Sequence, residues 1–359
     1  MKLEIINPVI YTNPYQRLLF CDISNRYLLT KGSIHDAISK IKAGKKNIYH
    51  IHWEESLFKN VTCTTQAKID IEAYVLKLKY YNSLGGKILW TVHNIKPHDI
   101  NPAFDPLFLI LRKNIAALSQ RIIVHNNATI EMLRDQIDLL KFSRKIKIIP
   151  HPSYTGIYEK SETTNALAIN NPNNSRKLIY FGYIRPYKGL SKLIDFLSAD
   201  FMLEHELSMG IFGKPIGDEE SQKDLENKIA SRSEITHSLD IVPNDRLPDI
   251  LRSGAGIIIP YHKVVSSGVA NLALTLGIPA IAPNTPAMRE LFPEIAHHLL
   301  FIPDSEVDLK RAVLALLNLN KKDRSSIAQS YLEKASKYNA RTISRMLGKI
   351  YDQILQTNK

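Results

Sequence analysis

Residues 180–196, YFGYIRPYKGLSKLIDF, place Gly182, Arg185, Lys188 and Gly189 where an apolar strand pattern gives way to a helical one. Gly182 lets the backbone turn with no side chain in the way. A helix beginning at Gly189 presents unpaired N–H groups and a partial positive charge. Arg185 can hold two oxygens in a fork, and Lys188 adds a point charge. The combination suits a phosphate; solvated cations beside an ordinary turn are the structural alternative. Residues 261–284, YHKVVSSGVANLALTLGIPAIAPN, follow the same logic. There Ser266, Ser267 and Gly268 precede an apolar helix pattern that Gly277 and Pro279 close. Serine caps helices well, and glycine admits a close backbone approach. A capped helix needs nothing more, but two phosphate-compatible turns in one domain suit a diphosphate.

A third cluster lies in the first half. His50, His52, Glu54 and Glu55 end one strand pattern, IYHIHWEES; His93, Asn94, His98 and Asp99 end another, WTVHNIKPHD. Strand alternation puts His50 and His52 on one face. His-x-His can ligate a metal, but no cysteine or third histidine follows at a close, regular spacing, so substrate binding or acid–base work fits better. His125 and Asn126 end RIIVHN, with Asn127 expected to cap the next helix and Glu131 near a capping-box place. His151, held between prolines in IIPHPSY, ends the last strand of this half.

Strands must carry these groups to one edge. LEIINPV, NIYHIHW, KILWTVHN, RIIVHN and KIKIIPHP read as strands, separated by segments such as TQAKIDIEAYVLKLKYYNSLGG with apolar residues at helical spacing. Residues 160–176, KSETTNALAINNPNNSR, break the rhythm and read as a linker. The alternation then restarts with KLIYFGYI, LSMGIFGKP, ITHSLDIVP, GAGIIIPY and PAIAPN. The fold class is α/β, with two doubly wound, Rossmann-like parallel-sheet domains facing a cleft. The expected divisions are 1–160, a linker at 161–176, 177–325, and helices over 326–359 that pack back toward the first domain. Ligands of such sheets sit beyond the carboxyl ends of the strands, where the clusters fall.

Across 359 residues, 44% are apolar and 23% charged, ordinary for a soluble protein. No run of 18 apolar residues and no secretion signal is apparent, and the two cysteines have no ligand spacing, so a cytoplasmic location is expected. The net charge of +12 is uneven: residues 1–160 hold 23 Lys and Arg against 13 Asp and Glu, the remainder 24 against 22. A basic first half suits an anionic partner, whether membrane surface, phosphorylated lipid or nucleic acid; a merely solubilising surface is the alternative. Lys40, Lys42, Lys45 and Lys46, in SKIKAGKKN, form a patch suited to anionic headgroups on the inner face of the plasma membrane.

The strand–GYIRPYKG–helix segment resembles the nucleotide-diphosphate loop of GT-B fold glycosyltransferases. The order IYHIHW, WTVHN, IIPHP, YFGYIRPYKG, IFGKP, IIIPY…SSG…GIPAIAPN is similar to glycosyltransferase family 4 and its relatives, and HIHWEE and TVHNIKPHD look nearest to bacterial exopolysaccharide transferases of the xanthan-type β-mannosyltransferase kind. Two departures stand out. Tyr183 replaces the arginine that usually follows the first glycine, and Val264 and Leu272 stand where the family has paired glutamates.

The resemblance implies transfer of a hexose from a nucleotide-diphosphate sugar (GDP-mannose or a UDP-sugar) to a hydroxyl of a lipid-linked or growing cell-surface polysaccharide. Donor binding falls to Gly182, Tyr183, Arg185, Lys188, Gly213, Lys214, Ser266, Ser267 and Gly268. Asp99 leads the candidates for the base, with Glu54, Glu55 and His98 behind it; His93 resembles the family histidine that touches the donor sugar. His52, Asn94, His125 and His151 are expected to line the acceptor side. No Asp-x-Asp motif is present, so neither a metal nor a cofactor is expected. A nucleotide-sugar 2-epimerase of the same fold is one alternative. A non-catalytic binder of anions or nucleic acid is another, but basic residues interleave with aromatics only in KLKYYNS, so a nucleic-acid partner is not expected.

Overall fold

A computed structural model of the protein describes residues 2–9, 14–96, 101–158, 176–261 and 267–356. The chain forms two compact units: Met1–Pro152 together with Ala340–Lys359, and Ser153–Asn339. The expected linker at 161–176 lies outside the described residues but for Arg176.

In the first unit, six parallel strands order as β2-β1-β3-β4-β5-β6. They are β1 (Leu3–Asn7), β2 (Tyr27–Lys31), β3 (Asn47–His52), β4 (Lys87–Thr91), β5 (Arg121–Val124) and β6 (Ile146–Ile148). Adjacent residues feed opposite cores. Ile6, Tyr49, Ile88 and Ile122 face the layer of helices Ile34–Lys42, Thr64–Ser83 and Asp105–Leu118. Ile5, Ile48, Leu89 and Ile123 face the other side, with Ile343, Leu347, Tyr351 and Ile354. Burial on both faces explains why the inner strands β1, β3, β4 and β5 read as largely apolar runs.

The last four of those residues belong to helix Ala340–Gln356, whose apolar stripe completes the first unit. The Tyr27 hydroxyl donates to Asp352 at 2.5 Å, and Arg345 pairs with Asp22 at 2.7 Å. The group of terminal helices expected from residue 326 is therefore divided: helix Lys321–Lys337 belongs to the second unit, and only the last helix joins the first.

The second unit also has six parallel strands, ordered β12-β11-β10-β7-β8-β9. They are β7 (Lys177–Phe181), β8 (Ser208–Phe212), β9 (Ile235–Ser238), β10 (Gly256–Ile258), β11 (Ala280–Pro283) and β12 (Leu300–Phe301). Sequence reading missed β2 and β12, one edge strand of each sheet. It also shifted one cap: Asn126, not Asn127, accepts from the Thr129 N–H and starts helix Asn127–Leu133.

Leu347 is fully buried. Leu347→Ala is expected to lower the unfolding free energy by about 2–5 kcal/mol, the range for an aliphatic side chain lost from a packed core. Chemical denaturation followed by circular dichroism measures it.

Candidate functional site

In the second unit the loops after β7 and β8 are zipped together. Gly182 N–H donates to Phe212 O at 3.0 Å, Ile184 N–H to Lys214 O at 3.0 Å, and Ile216 N–H to Ile184 O at 2.8 Å. Gly213, at φ 146°, lies so close that a Cβ there would stand 2.1 Å from Gly182 O. Only glycine fits.

This contact aims the Gly182 loop at a second helix end. A Cβ on Gly182 would stand 3.5 Å from Lys188 Nζ and 3.6 Å from Val269 Cγ2, so the absent side chain leaves a space between the ammonium and helix Gly268–Leu276. Ser267 caps that helix: its Oγ accepts from Ala270 N–H at 3.1 Å and its carbonyl from Asn271 N–H at 3.0 Å. Among the described residues, the N–H groups of Gly268 and Val269 remain as the open donors of the first turn. The Lys188 Nζ also stands 5.6 Å from the ring centre of Tyr261, whose hydroxyl meets Ser267 Oγ at 2.8 Å.

Lys188 carries its charge there at a cost. Burial first, then repulsion from Arg185, lowers its pKa to about 8. No carboxylate among the described residues pairs with it. A partly buried ammonium beside another cation and open amides has the chemistry to hold an anion. Arg185 also lines a cavity of about 190 Å³ with Ile184, Pro186, Leu190, Pro215 and Asp224.

One expectation needs correcting. The Ser267 hydroxyl accepts from Ala270 N–H and is bonded to the Tyr261 hydroxyl, and Ser267 is buried, so it serves as a cap. The turn Pro186–Lys188 spends its own amides: Lys188 N–H donates to Arg185 O at 2.9 Å and Gly189 N–H to Pro186 O at 3.1 Å. Helix Leu190–Phe196 starts from Gly189, as expected, and no side chain caps its first amides. Tyr183 and Lys214 are exposed. Ser266 and Val264 lie outside the described residues, and Leu272 is buried in the helix.

In the first unit the strand exits gather five histidines. His52 Nδ1 lies 2.8 Å from His93 Nε2. His125 Nδ1 donates to Ile149 O at 2.8 Å, which leaves its Nε2 to accept from the Tyr15 hydroxyl at 3.2 Å. His151 Nδ1 donates to Pro152 O at 2.8 Å. His50 sits deeper, bonded to the Tyr351 hydroxyl and Thr91 Oγ1, both at 2.8 Å, and serves the core. Burial lowers the pKa of all five, so they are neutral near pH 7. With so many ring nitrogens already bonded, no group of three or more His, Cys, Asp or Glu among the described residues is arranged to hold a metal ion.

Trp53 follows β3 in the left-handed region, φ 50° and ψ 59°, and stacks on His93 with ring centres 4.2 Å apart and planes at 11°. A bulky residue tolerates that backbone only where its surroundings impose it. Tyr15 meets His93 and His125 edge-on.

Of the carboxylates, Glu54 is overturned as a base. Arg112 pairs with its Oε1, and Trp90 Nε1 donates to its Oε2 at 3.1 Å, all three residues being buried. Arg112 also donates to Ile95 O at 2.8 Å, to Asn94 O and to Gln136 Oε1, so it ties together the segments that follow β3 and β4. Glu55 differs. Its Oε1 accepts from Asn94 Nδ2 at 2.7 Å, while its Oε2 is buried with no hydrogen-bond partner. Burial, then the neighbouring Glu54, raises its pKa to about 7. A carboxylate poised there suits proton transfer near neutral pH. His98 and Asp99 lie outside the described residues.

Sequence reasoning missed Tyr15, Trp53, Arg112 and Tyr261. Only Arg112 left a trace, as a cation inside the apolar pattern of DPLFLILRKNIAAL.

No protein-family model matches the chain. It is 25% identical, over 303 residues, to a GDP-mannose:glycolipid 4-beta-D-mannosyltransferase of Xanthomonas campestris pv. campestris, an alignment spanning 84% of this chain and 78% of the relative. Among solved structures, Anabaena HepE in complex with UDP and glucose superposes with a TM-score of 0.71 at 12% identity, over 98% of this chain and 100% of that one. Sucrose-phosphate synthase from Thermosynechococcus elongatus gives 0.69 at 15% identity, over all of both chains. The fold is that of the GT-B glycosyltransferases.

Arg112→Met strands a buried carboxylate and is expected to lower stability by about 3–5 kcal/mol, with Glu54→Gln added in the same chain recovering part of the loss; denaturation midpoints of the single and double variants measure both. Lys188→Met is expected to do the opposite. The folded state lowers the Lys188 pKa to about 8, below about 10.4 in an unfolded chain, so stability rises with pH between those values and the charged form is a burden below 8. The variant should therefore melt higher than the parent at pH 7, and the gap should narrow by pH 10.

Proposed function

We infer that this chain is a glycosyltransferase that moves a sugar from a nucleotide-diphosphate sugar to a hydroxyl of a lipid-linked or growing glycan. The observation that carries the reading is the unpaired Lys188 ammonium facing Gly182 and the open end of helix Gly268–Leu276. As the glycosidic bond breaks, negative charge builds on the departing diphosphate. Lys188, Arg185 and the Gly268 and Val269 amides stabilise that charge in place, with no reorganisation at the moment of reaction. This arrangement supports a reaction that needs neither a divalent metal nor a cofactor, and undiminished turnover in a chelator is the expected result. The relatives' names offer two donor classes, GDP-mannose and UDP-glucose, and both are proposed for trial here.

The acceptor hydroxyl must lose a proton as it attacks. Glu55 is assigned that role: it is partly buried, oriented by Asn94, and has one oxygen without a partner. His52, His93, His125 and His151, neutral at the strand exits, are assigned to hold sugar hydroxyls, which a neutral ring can do as donor or acceptor. No helix among the described residues is long and apolar enough to cross a membrane. The basic first unit supports peripheral attachment to an anionic membrane surface, where a glycolipid acceptor would be met.

Arg185→Ala combined with Lys188→Ala is expected to weaken nucleoside-diphosphate affinity by at least about 100-fold, judged at about 1.5–3 kcal/mol per charged contact, while the protein stays folded. Titration calorimetry against GDP and UDP reads this directly; unchanged affinity would end the proposal. Turnover should rise with pH as Glu55 ionises near 7 and fall again as Lys188 loses its proton near 8. Glu55→Gln should lower kcat by about 10²–10⁴-fold with donor affinity intact. Should Asp99→Asn do so in its place, the base is Asp99. Release of free nucleoside diphosphate, with no epimerised sugar nucleotide, separates transfer from epimerisation.

A further inference from the structure

Helix Thr64–Ser83, between β3 and β4 of the first unit, carries apolar residues on two opposite faces. Its inner face, Ala67, Ile71, Val75, Leu78 and Tyr81, is buried in the core of that unit. Its outer face is a second stripe: Ile69, Ala73, Leu76 and Tyr80 recur at intervals of four, three and four residues. At about 100° and about 1.5 Å per residue, these four fall within an arc of about 60° and span about 16 Å. Ile69 is 54% exposed, Leu76 63% and Tyr80 45%. Among the described residues, no other helix or strand exposes two large hydrophobic side chains. Exposed apolar residues scattered singly are ordinary; a continuous stripe marks a contact.

Alternating steps of three and four are the spacing of a coiled-coil seam, where the residues flanking the apolar stripe set partner and orientation. Here the flanks are charged. Glu72 and Lys79 lie on one side of the stripe, Asp70 and Lys77 on the other. Among the described residues, Glu72, Lys77 and Lys79 have no ion-pair partner within the chain, and Asp70 accepts from Gln66 Nε2 at 2.7 Å.

We propose that this stripe pairs two copies of the chain, the two helices packing antiparallel about a two-fold axis between Ala73 and Leu76. A two-fold of that kind sets each flank against the same flank of the other copy. Ile69 of one copy then faces Tyr80 of the other, and Leu76 faces Ala73, large against small. Glu72 meets Lys79 and Asp70 meets Lys77, each twice, so every flanking charge finds its opposite. A parallel pair in heptad register would match Glu72 with Lys77 but bring Asp70 to Thr65 and Lys79 to Leu84. This self-complementarity selects a second copy as the occupant, and the two acids on the face disfavour an anionic surface. The seam is about two heptads long, which places the contact among small, reversible interfaces. The proposal does not depend on the transferase reading.

The test is sedimentation equilibrium of the full chain from about 1 to about 200 μM, a range that brackets micromolar affinity. A monomer–dimer equilibrium is expected. Leu76→Glu changes an exposed side chain and should leave only monomer, with circular dichroism and thermal shift by GDP or UDP as in the parent. Glu72→Lys sets like charges together at two places and should raise the dimer dissociation constant by about 10-fold. Adding Lys79→Glu to Glu72→Lys in the same chain exchanges the two ends of that pair and should restore association, which a parallel register would not allow. A parent that is monomeric throughout, or a dimer indifferent to Leu76→Glu, overturns the proposal. So does failure of the charge exchange to restore association. A monomeric parent whose binding to lipid vesicles is lost with Leu76→Glu would likewise overturn it, by giving the stripe to a bilayer.

Discussion

A parallel sheet cannot hide the direction of its strands. In each unit all six strands enter on one edge and leave on the other, so whatever follows a strand shares an edge with whatever follows its neighbours. Residues far apart in the chain are thereby made adjacent: His52, His93, His125 and His151 come from the ends of four different strands. The second unit uses the same constraint to bring the Gly182 loop against Gly213 and toward the helix that Ser267 caps. Chemistry gathers at the exits because the exits are where the topology delivers flexible backbone to a common place.

The exits still need a fixed shape, and in the first unit a buried ion pair supplies it. Taking Arg112 and Glu54 out of water is expensive, and their mutual attraction offsets that only when the remaining hydrogen-bonding capacity is filled. Here it is filled by Trp90, Asn94, Ile95 and Gln136. Two of those partners, Asn94 and Ile95, are backbone carbonyls of the segment after β4, so the ion pair holds that segment against the turn carrying Glu55. Glu54 and Glu55, neighbours in sequence, thus have unlike tasks. One is neutralised in the interior; the other keeps an unsatisfied oxygen.

Much of this was legible from periodicity and strand-end residues alone. Ten of the twelve strands were read; eight of them are buried in their sheets, which leaves little room for polar residues, while β6 and β9 are edge strands with few buried residues. The two missed strands, Tyr27–Lys31 and Leu300–Phe301, lie at edges: the first is largely exposed, and the second is only two residues long. The Gly182–Arg185–Lys188 turn and the Ser267–Gly268 helix end were visible as separate motifs. Their convergence was not, because it depends on a contact between Gly182 and Gly213 that no local pattern encodes. The role of Glu54 was misread for the same reason: its partner Arg112 lies 58 residues away.

The molecule uses positive charge in two physically different ways. In the first unit the cations are many and mostly exposed, so each is screened by salt and worth little alone; only their number makes a field. Beside Gly182 they are few, and Lys188 is held where water is scarce, so an anion there would be held strongly and the lysine's own proton is loosened. The first arrangement tolerates losing one residue and responds steeply to ionic strength. The second rests on few residues and responds to pH. The exposed cations of the first unit and the partly buried Lys188 of the second thus differ in kind, the former sensitive to salt and the latter to pH.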